Sequence, residues 1–412
     1  MNQNTASLRT GIVHGLLLIG LQIGLSACSN QNEISTHTFE VRTEGGVTTA
    51  VSAGGPRYAG PIFEFEYLFS LEQDETREET LIFTFNWYMM GKDNRIYLSD
   101  VGNQRIAVFD SEGRYSHSIG QMGYGPGEFL SPRLIYAERD TLAIWDMAMG
   151  NWRMSYFSPD GSFLTSTPVR HAAMNTFGAW PGPGGSTIQH STDSKPSPSG
   201  GRIPVQRITT MGADGDTLGL VELELPRQSP THFQAFMSVN HQWRHGTLRV
   251  EGNQPQFWWY DSRGELTRIV KVEGLPQEPV SEEERRAIRE AGEEQLAGIT
   301  SESRRSSLER RLAYPFPDVK PYWSYVMADE SGFLWALEPI DNIQGSYAGK
   351  SARIFSPEGE FLGSVTFPEA EGLRMITPSR GFLLASMEDP ETGVRGLDVY
   401  QIKPVVRGVS YP

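Results

Sequence analysis

The chain has 412 residues, 38% hydrophobic and 11% aromatic, enough to bury a sizeable core, and its 43 glycines and 26 prolines favour many short strands over long helices. A formal net charge of −14 excludes a broad nucleic-acid footprint and makes an acidic, soluble surface the expectation. A single cysteine excludes an intramolecular disulfide, so stability has to come from the packed core.

Residues 1–27 carry one charge, Arg9, followed by the apolar run Gly11–Gly24 and then Leu25-Ser26-Ala27-Cys28. A charged start, a short apolar stretch and small residues before a cut site predict an export signal too short to span a bilayer. The Leu-Ser-Ala-Cys ending resembles a bacterial lipobox, in which the thiol is diacylated and the chain begins anew at the cysteine. The alternative is a buried free thiol. Acylation at the Cys28 thiol and at the new amine implies firm membrane attachment, since each buried CH₂ contributes about 0.8 kcal/mol. Ser29, in place of an aspartate, leans by resemblance towards the outer membrane of the cell envelope.

Residues 28–60 read as a polar tether. They hold two short alternating runs, Thr38–Thr43 and Val47–Ala53, around Gly45-Gly46, which predicts a hairpin on the edge of the folded domain. From residue 61 the sequence repeats. An aromatic residue, three turn-forming positions and a glycine recur as Phe109–Gly113, Phe157–Gly161, Tyr260–Gly264 and Phe355–Gly359, with a degenerate copy at Met211–Gly215. Asp, Ser or Pro opens such a turn and Gly takes the left-handed position that closes it. A second phrase, a polar turn and then a short apolar strand, centres on Ile96, Leu142, Ile188, Leu248, Leu334 and Leu383, spaced by 46, 46, 60, 86 and 49 residues. Six units with a period in the high forties match four-stranded propeller blades.

The two long spacings predict insertions. Pro181–Gly201, rich in Gly, Pro and Ser, reads as a flexible excursion in the third unit. Ser281–Leu312 opens with a capping box, Ser281 with Glu284, and predicts one or two solvated helices between the fourth and fifth blades. The last unit lacks a fourth strand, and the alternating run Ile62–Leu71 has no other home, so this strand is expected to complete the last blade and close the ring. The domain is thus expected over 61–404, followed by a tail at 405–412.

Within 91–129, three segments, Asn94–Asp100, Asn103–Asp110 and Gly120–Phe129, resemble an NHL-type repeat, and the closing Gly-x-Gly-Pro-Gly-Glu-Phe is similar to that of six-bladed propeller lipoproteins of bacteria. The likeness is sharp over about one blade. It implies an all-β six-bladed propeller and no particular reaction, since propellers of this class host binding modules, lactonases and lyases.

Gly120–Gly127 lacks the helix and lysine of a phosphate loop and reads as a connection between blades. His241 and His245 share a strand face but sit about 13 Å apart by strand rise, too far to hold one ion unless a turn at Trp243-Arg244 folds them together. By resemblance, lactonase-like and lyase-like propellers hold a divalent ion in the central channel. The innermost strands, expected near 83–90, 132–137, 171–179, 233–240, 321–328 and 372–378, offer Asn86, His171, Asn175 and Asn240 but little carboxylate, a poor set for Ca or Zn. No nucleophile elbow is present. The remaining candidates are aromatic and cationic residues on or beside the innermost strands: Trp87, Arg133, His171, Trp180, Tyr322, Trp323 and Arg374. Aromatics and cations around a channel mouth grip a sugar, a peptide or an anion; packing between blades is the competing fate of each ring.

The expectation is a membrane-anchored, extracytoplasmic, monomeric propeller that binds a protein or small ligand without catalysis, with no cofactor. The alternative is a metal-dependent lactonase- or lyase-like enzyme with its site in the channel, and a third possibility is an envelope component docking through the 281–312 helices.

Overall fold

The computed structural model describes residues 36–411 except 75, 83, 138–139, 148–151, 171–174, 199, 225–236, 243–245, 262, 341–349, 369–371 and 390–393; within the described elements the side chains of 86, 177, 183, 237–242 and 246 are likewise outside it. Cys28 and the expected signal lie outside the described residues. So does His171.

Turn chemistry sets the repeating unit. Gly113, Gly161, Gly215, Gly264 and Gly359 sit at φ 80°, 91°, 93°, 87° and 90°, a region costly for any other residue. At the other end of the turn, Asp110 Oδ1 accepts from the amides of Glu112 (3.0 Å) and Arg114 (2.9 Å), and Asp261 Oδ1 accepts from those of Arg263 and Glu265 (both 2.9 Å). Each such turn joins the third and fourth strands of a four-stranded antiparallel blade.

A hairpin, β1 (Thr38–Glu44) and β2 (Val47–Ala53), comes first, and then β3 (Phe63–Ser70). Blade one is β4 (Phe85–Met90), β5 (Ile96–Asp100), β6 (Arg105–Phe109) and β7 (Tyr115–Ile119). A small parallel pair, β8 (Gln121–Met122) and β9 (Glu128–Phe129), links it to blade two. Blade two is β10 (Pro132–Ala137), β11 (Leu142–Asp146), β12 (Arg153–Phe157) and β13 (Phe163–Pro168). Blade three is β14 (Thr176–Pro181), β15 (Thr187–Pro196), β16 (Arg202–Met211) and β17 (Thr217–Glu224). Blade four is β18 (Met237–Gln242), β19 (Gly246–Glu251), β20 (Gln256–Tyr260) and β21 (Leu266–Glu273). Two helices follow, α1 (Glu282–Gly298) and α2 (Glu302–Leu312). Blade five is β22 (Tyr325–Ala328), β23 (Leu334–Leu337), β24 (Ser351–Phe355) and β25 (Phe361–Thr366). Blade six is β26 (Leu373–Ser379), β27 (Phe382–Glu388) and β28 (Arg395–Pro404), with β3 as its fourth strand, paired antiparallel to β28 from Asp398↔Ser70 to Pro404↔Phe63. The first strand of the domain therefore closes the ring through its last blade, as the alternation of 62–71 predicts.

The core is divided among the seams. One apolar cluster fills each: Tyr97, Ile106 and Leu134 between blades one and two; Trp145, Met154 and Ala179 between two and three; Ile188, Ile208 and Tyr260 between three and four; Phe257, Trp323 and Phe355 between four and five; Phe63, Trp335 and Ile376 between five and six; Phe85, Phe109 and Leu384 between six and one. All blades, the closing strand and these clusters lie inside one compact unit, Ile34–Pro412, so the ring is complete within it.

Three peripheral features refine the sequence reading. The hairpin extends blade four, with β2 running parallel to β21. The expected flexible excursion at 181–201 is instead mostly paired backbone: β15 and β16 are ladder partners from Thr187↔Met211 to Pro196↔Arg202, and the Gly, Pro and Ser residues concentrate at its two turns. Alternation of Ser, Thr and charged residues keeps that ladder regular, and Arg207 ties Asp193 to Glu222 across its exposed face. The helices lie between β21 and β22. Ser281 Oγ accepts from the Glu284 amide (3.1 Å) while Glu284 accepts from the Ser281 amide (2.9 Å), and Val280, Ile288 and Leu308 form a small core of their own. Lys320 pairs with Glu278 (3.3 Å) and with Glu284, tying α1 to the segment that leads into β22. No described helix is long and apolar enough to cross a membrane.

The segment 405–411 is docked rather than a free tail. Tyr411 packs on Phe63 (4.9 Å between centroids) and Phe333 (5.2 Å), and its hydroxyl donates to Asp329 Oδ2 at 2.5 Å. Trp335 Nε1 donates to the same oxygen at 3.0 Å. Burial raises the Asp329 pKa above the ordinary carboxylate value, and the two side-chain donors pull it back. A raised folded pKa means that the group favours folding at acid pH and that this contribution is lost as pH rises through the folded value. Tyr411→Phe removes a bond that favours the ionised form, so its cost is expected to be about 1.5–3 kcal/mol where Asp329 is ionised and smaller once it is protonated. Urea denaturation of the variant at neutral and acid pH checks it; an equal loss at both would refute the link to Asp329.

Candidate functional site

Within each blade the chain runs from the innermost strand outwards, so β4, β10, β14, β18, β22 and β26 all begin at one end of the central channel and finish at the other. The finishing end is cross-linked between blades. Arg380, in the turn between β26 and β27, sits in the left-handed region at φ 49°. Its Nε donates to the Met90 carbonyl (3.0 Å) and its guanidinium reaches the Ala137 carbonyl (3.4 Å), while its amide donates to Glu330 (3.2 Å). Arg380 of blade six thus bridges the inner-strand ends of blades one and two, and Glu330 adds blade five, so that four of the six blades are tied together at this end. Ser379 Oγ, donating to Glu330 (2.8 Å) and accepting from the Met90 amide (3.2 Å), secures the same corner. The other end of the channel, where the inner strands start, is its mouth.

Three blades carry an acid–arginine pair at that mouth, where the second strand ends and the third begins. Asp100 accepts from Arg105 Nε (2.9 Å), Asp146 from Arg153 (3.4 Å) and Glu388 from Arg395 Nε (3.1 Å). Asp100 and Asp146 are fully buried. Arg153 also donates to the carbonyls of Tyr124 (2.8 Å) and Glu128, and Asp146 Oδ1 accepts from the amides of Leu130 (3.2 Å) and Ser131 (2.9 Å). The Gly120–Gly127 stretch is thus a stapled connection between blades, with Glu128 accepting from the Gly125 amide (2.7 Å). These pairs were legible as a recurrence, Ser99-Asp100 with Arg105 and Trp145-Asp146 with Arg153, that the turn phrases overshadowed.

The structure brings two of the candidate residues together. Arg133, at the start of β10, places its guanidinium 3.7 Å over the Trp87 ring of β4 and 5.2 Å from the Trp145 ring behind it. Trp145 packs edge-on against Trp152 at 5.5 Å, which makes a row of three indoles and one cation running from blade one across the start of β10 into the seam of blades two and three. Burial pulls the Arg133 pKa down to about 10, so it remains a cation at neutral pH. Trp145 and Trp152 escaped the sequence reading because neither lies on an innermost strand; the cross-strand register Arg133↔Trp145 is what makes them neighbours.

The other candidates are dispersed. Arg374 starts β26 at the mouth and donates to Glu388 (2.8 Å), which it shares with Arg395. Tyr322 is half-buried beside blade five and stacks near Trp323 at 5.7 Å. Trp323 itself is fully buried, 4.6 Å from Phe257, with Nε1 donating to the Glu251 carbonyl, so the seam between blades four and five claims it and it does not line the mouth. Trp180 stands at the opposite end of its strand, where it packs tilted against the buried His190 at 4.6 Å. His232 and His245 are outside the described residues, as are the side chains of His241, Asn86 and Asn240, and Asn175 is exposed. Among the described residues no three His, Cys, Asp or Glu side chains converge so as to hold a metal ion.

A family model described as DUF5128, 6-bladed beta-propeller, matches residues 60–174, the first two blades and the row of tryptophans just described. The chain is a six-bladed β-propeller. The propeller is similar to a protein described as exported from Bacteroides fragilis NCTC 9343, with 14% identity and a TM-score of 0.49 over 83% of this chain and 96% of that one. It is similar also to a member of the duf4221 family from Bacteroides vulgatus (12%, TM-score 0.44, 83% and 99% covered) and to virginiamycin B lyase from Staphylococcus aureus with quinupristin (11%, TM-score 0.37, 85% and 91%). No curated protein matches the chain. At such identities and scores none of these likenesses bears on activity.

Proposed function

We propose that this propeller is a binding module of the bacterial cell envelope, anchored through lipidated Cys28, that takes a small anionic ligand or an acidic peptide segment at the mouth end of the channel without chemical change. The observation that supports it is the Arg133 guanidinium held 3.7 Å over Trp87 beside a second indole. Such a pair offers a fixed cation for a carboxylate and flat apolar walls for the ligand body.

The test uses a hexuronic acid and an Asp/Glu-rich peptide as probes, followed by calorimetry and tryptophan fluorescence. Binding by the wild type with a loss of roughly tenfold or more in Arg133→Gln is the expected result, equivalent to about 1.4 kcal/mol or more. Failure of both probes to bind the wild type, or equal binding by the variant, would overturn the reading. One equivalent of Ca or Zn in the purified protein by elemental analysis, with hydrolysis or cleavage of a lactone, would put the channel-enzyme alternative in its place.

A further inference from the structure

The hairpin leaves β1 as the outer edge of the six-stranded sheet β1-β2-β21-β20-β19-β18. Such an edge is a ready template for pairing with another strand. Its sequence, Thr38-Phe-Glu-Val-Arg-Thr-Glu44, tells which strand fits. The two-residue loop Gly45-Gly46 sets the register Glu44↔Val47, Arg42↔Thr49, Glu40↔Val51. With a loop of that length, Glu44 and Val47 exchange hydrogen bonds, so residues 44, 42, 40 and 38 direct their backbone groups at β2. Phe39, Val41 and Thr43 direct theirs outwards.

A two-fold axis through Val41 places a second β1 antiparallel to the first and opposes Val41 to Val41, Phe39 to Thr43 and, twice over, Glu40 to Arg42. Every outward amide and carbonyl of 39, 41 and 43 then finds a partner. Moving the axis to residue 40 would oppose Glu40 to itself, and moving it to residue 42 would oppose Arg42 to itself, both repulsive. Val41 is 52% exposed, and neither Glu40 nor Arg42 has an ion-pair partner among the described residues. Arg42 only lends its field to Glu273, whose main partner is Lys271. We infer that β1 is a self-complementary edge that joins two copies of this chain, through the register centred on Val41, into one continuous sheet with closed two-fold symmetry.

The unit Ile34–Pro412 holds every blade and excludes Cys28, so Val41→Cys provides a sole thiol on the axis. Two such residues directly opposed are about 5.5 Å apart at Cα, within disulfide range, whereas Phe39 and Thr43 are each more than 10 Å from their own copies. Under mild oxidation Val41→Cys is expected to give a covalent dimer, and Phe39→Cys and Thr43→Cys are not. In sedimentation, Glu40→Arg and Arg42→Glu are each expected to weaken the wild-type dimer by roughly tenfold or more, since two attractive pairs become two repulsive ones. An equimolar mixture of the two variants restores complementary pairs and is expected to dimerise again, as is the double variant. A monomeric wild type, a dimer indifferent to charge reversal, or a unit that dimerises only when residues 1–33 are absent would overturn the inference, the last by showing that the chain's own N-terminal segment covers β1.

Discussion

Phe63→Ala is expected to destabilise the whole ring by about 3–5 kcal/mol, seen as a lower urea midpoint of a single unfolding transition. Phe63 is 2% exposed. It stacks on Trp335 at 5.6 Å and 22° and meets Phe333 and Tyr411 at 6.0 and 4.9 Å. The cost is that of a core phenylalanine, and it falls on ring closure for a topological reason. β3 comes from the start of the domain and pairs with the last strand, so the contacts that it loses are those that join the two ends of the ring. Tyr67→Ala on the same strand, 54% exposed, is the control and is expected to fall within about 0.5–1 kcal/mol of the wild type. Equal effects from the two substitutions would show that closure does not depend on the seam of blades five and six.

Ring closure was legible because its signals are local: an orphan alternating strand at 62–71, a last unit one strand short, and five turn phrases each ending in a glycine that the structure finds in the left-handed region. The same logic recovered the hairpin, the capping box at Ser281 and the second strands centred on Ile96, Leu142, Ile188, Leu248, Leu334 and Leu383. The mouth was legible only in part. Strand alternation places Trp87 and Arg133 near the axis, but which ring meets which cation depends on how one blade is offset from the next, a quantity with no sequence period. Trp323 shows the limit: it stands two residues before β22, where either fate was open, and packing against Phe257 decided for burial. Trp180 shows another, since its position at the end of β14 puts it at the opposite face from Arg133. Composition also misled at 181–201, where Gly, Pro and Ser mark the turns of a long ladder.

Asp146→Ala is expected to cost about 3–5 kcal/mol, because it strands a guanidinium that is already out of water. Arg153 is 8% exposed and Asp146 fully buried, and the lost carboxylate also abandons the amides of Leu130 and Ser131. Asp146→Asn keeps an acceptor for those amides while losing the charge, and about 1–3 kcal/mol is expected for it. The double variant Asp146→Ala/Arg153→Met removes both charges and should cost less than the two single changes added together, since each one alone leaves its partner buried and unmatched. A double variant that costs the full sum would show that the pair is not coupled. The substitution also reaches the mouth. Asp146 is the register partner of Pro132, the residue before Arg133, and follows Trp145 directly. Loosening that corner should disturb the edge-on contact of Trp145 with Trp152, which near-ultraviolet circular dichroism reads, before the protein unfolds. If that signal stays unchanged in Asp146→Asn while stability falls, the acid–arginine pair serves the ring alone; if both move together, the same pair that staples blade one to blade two also holds Arg133 where a ligand can meet it.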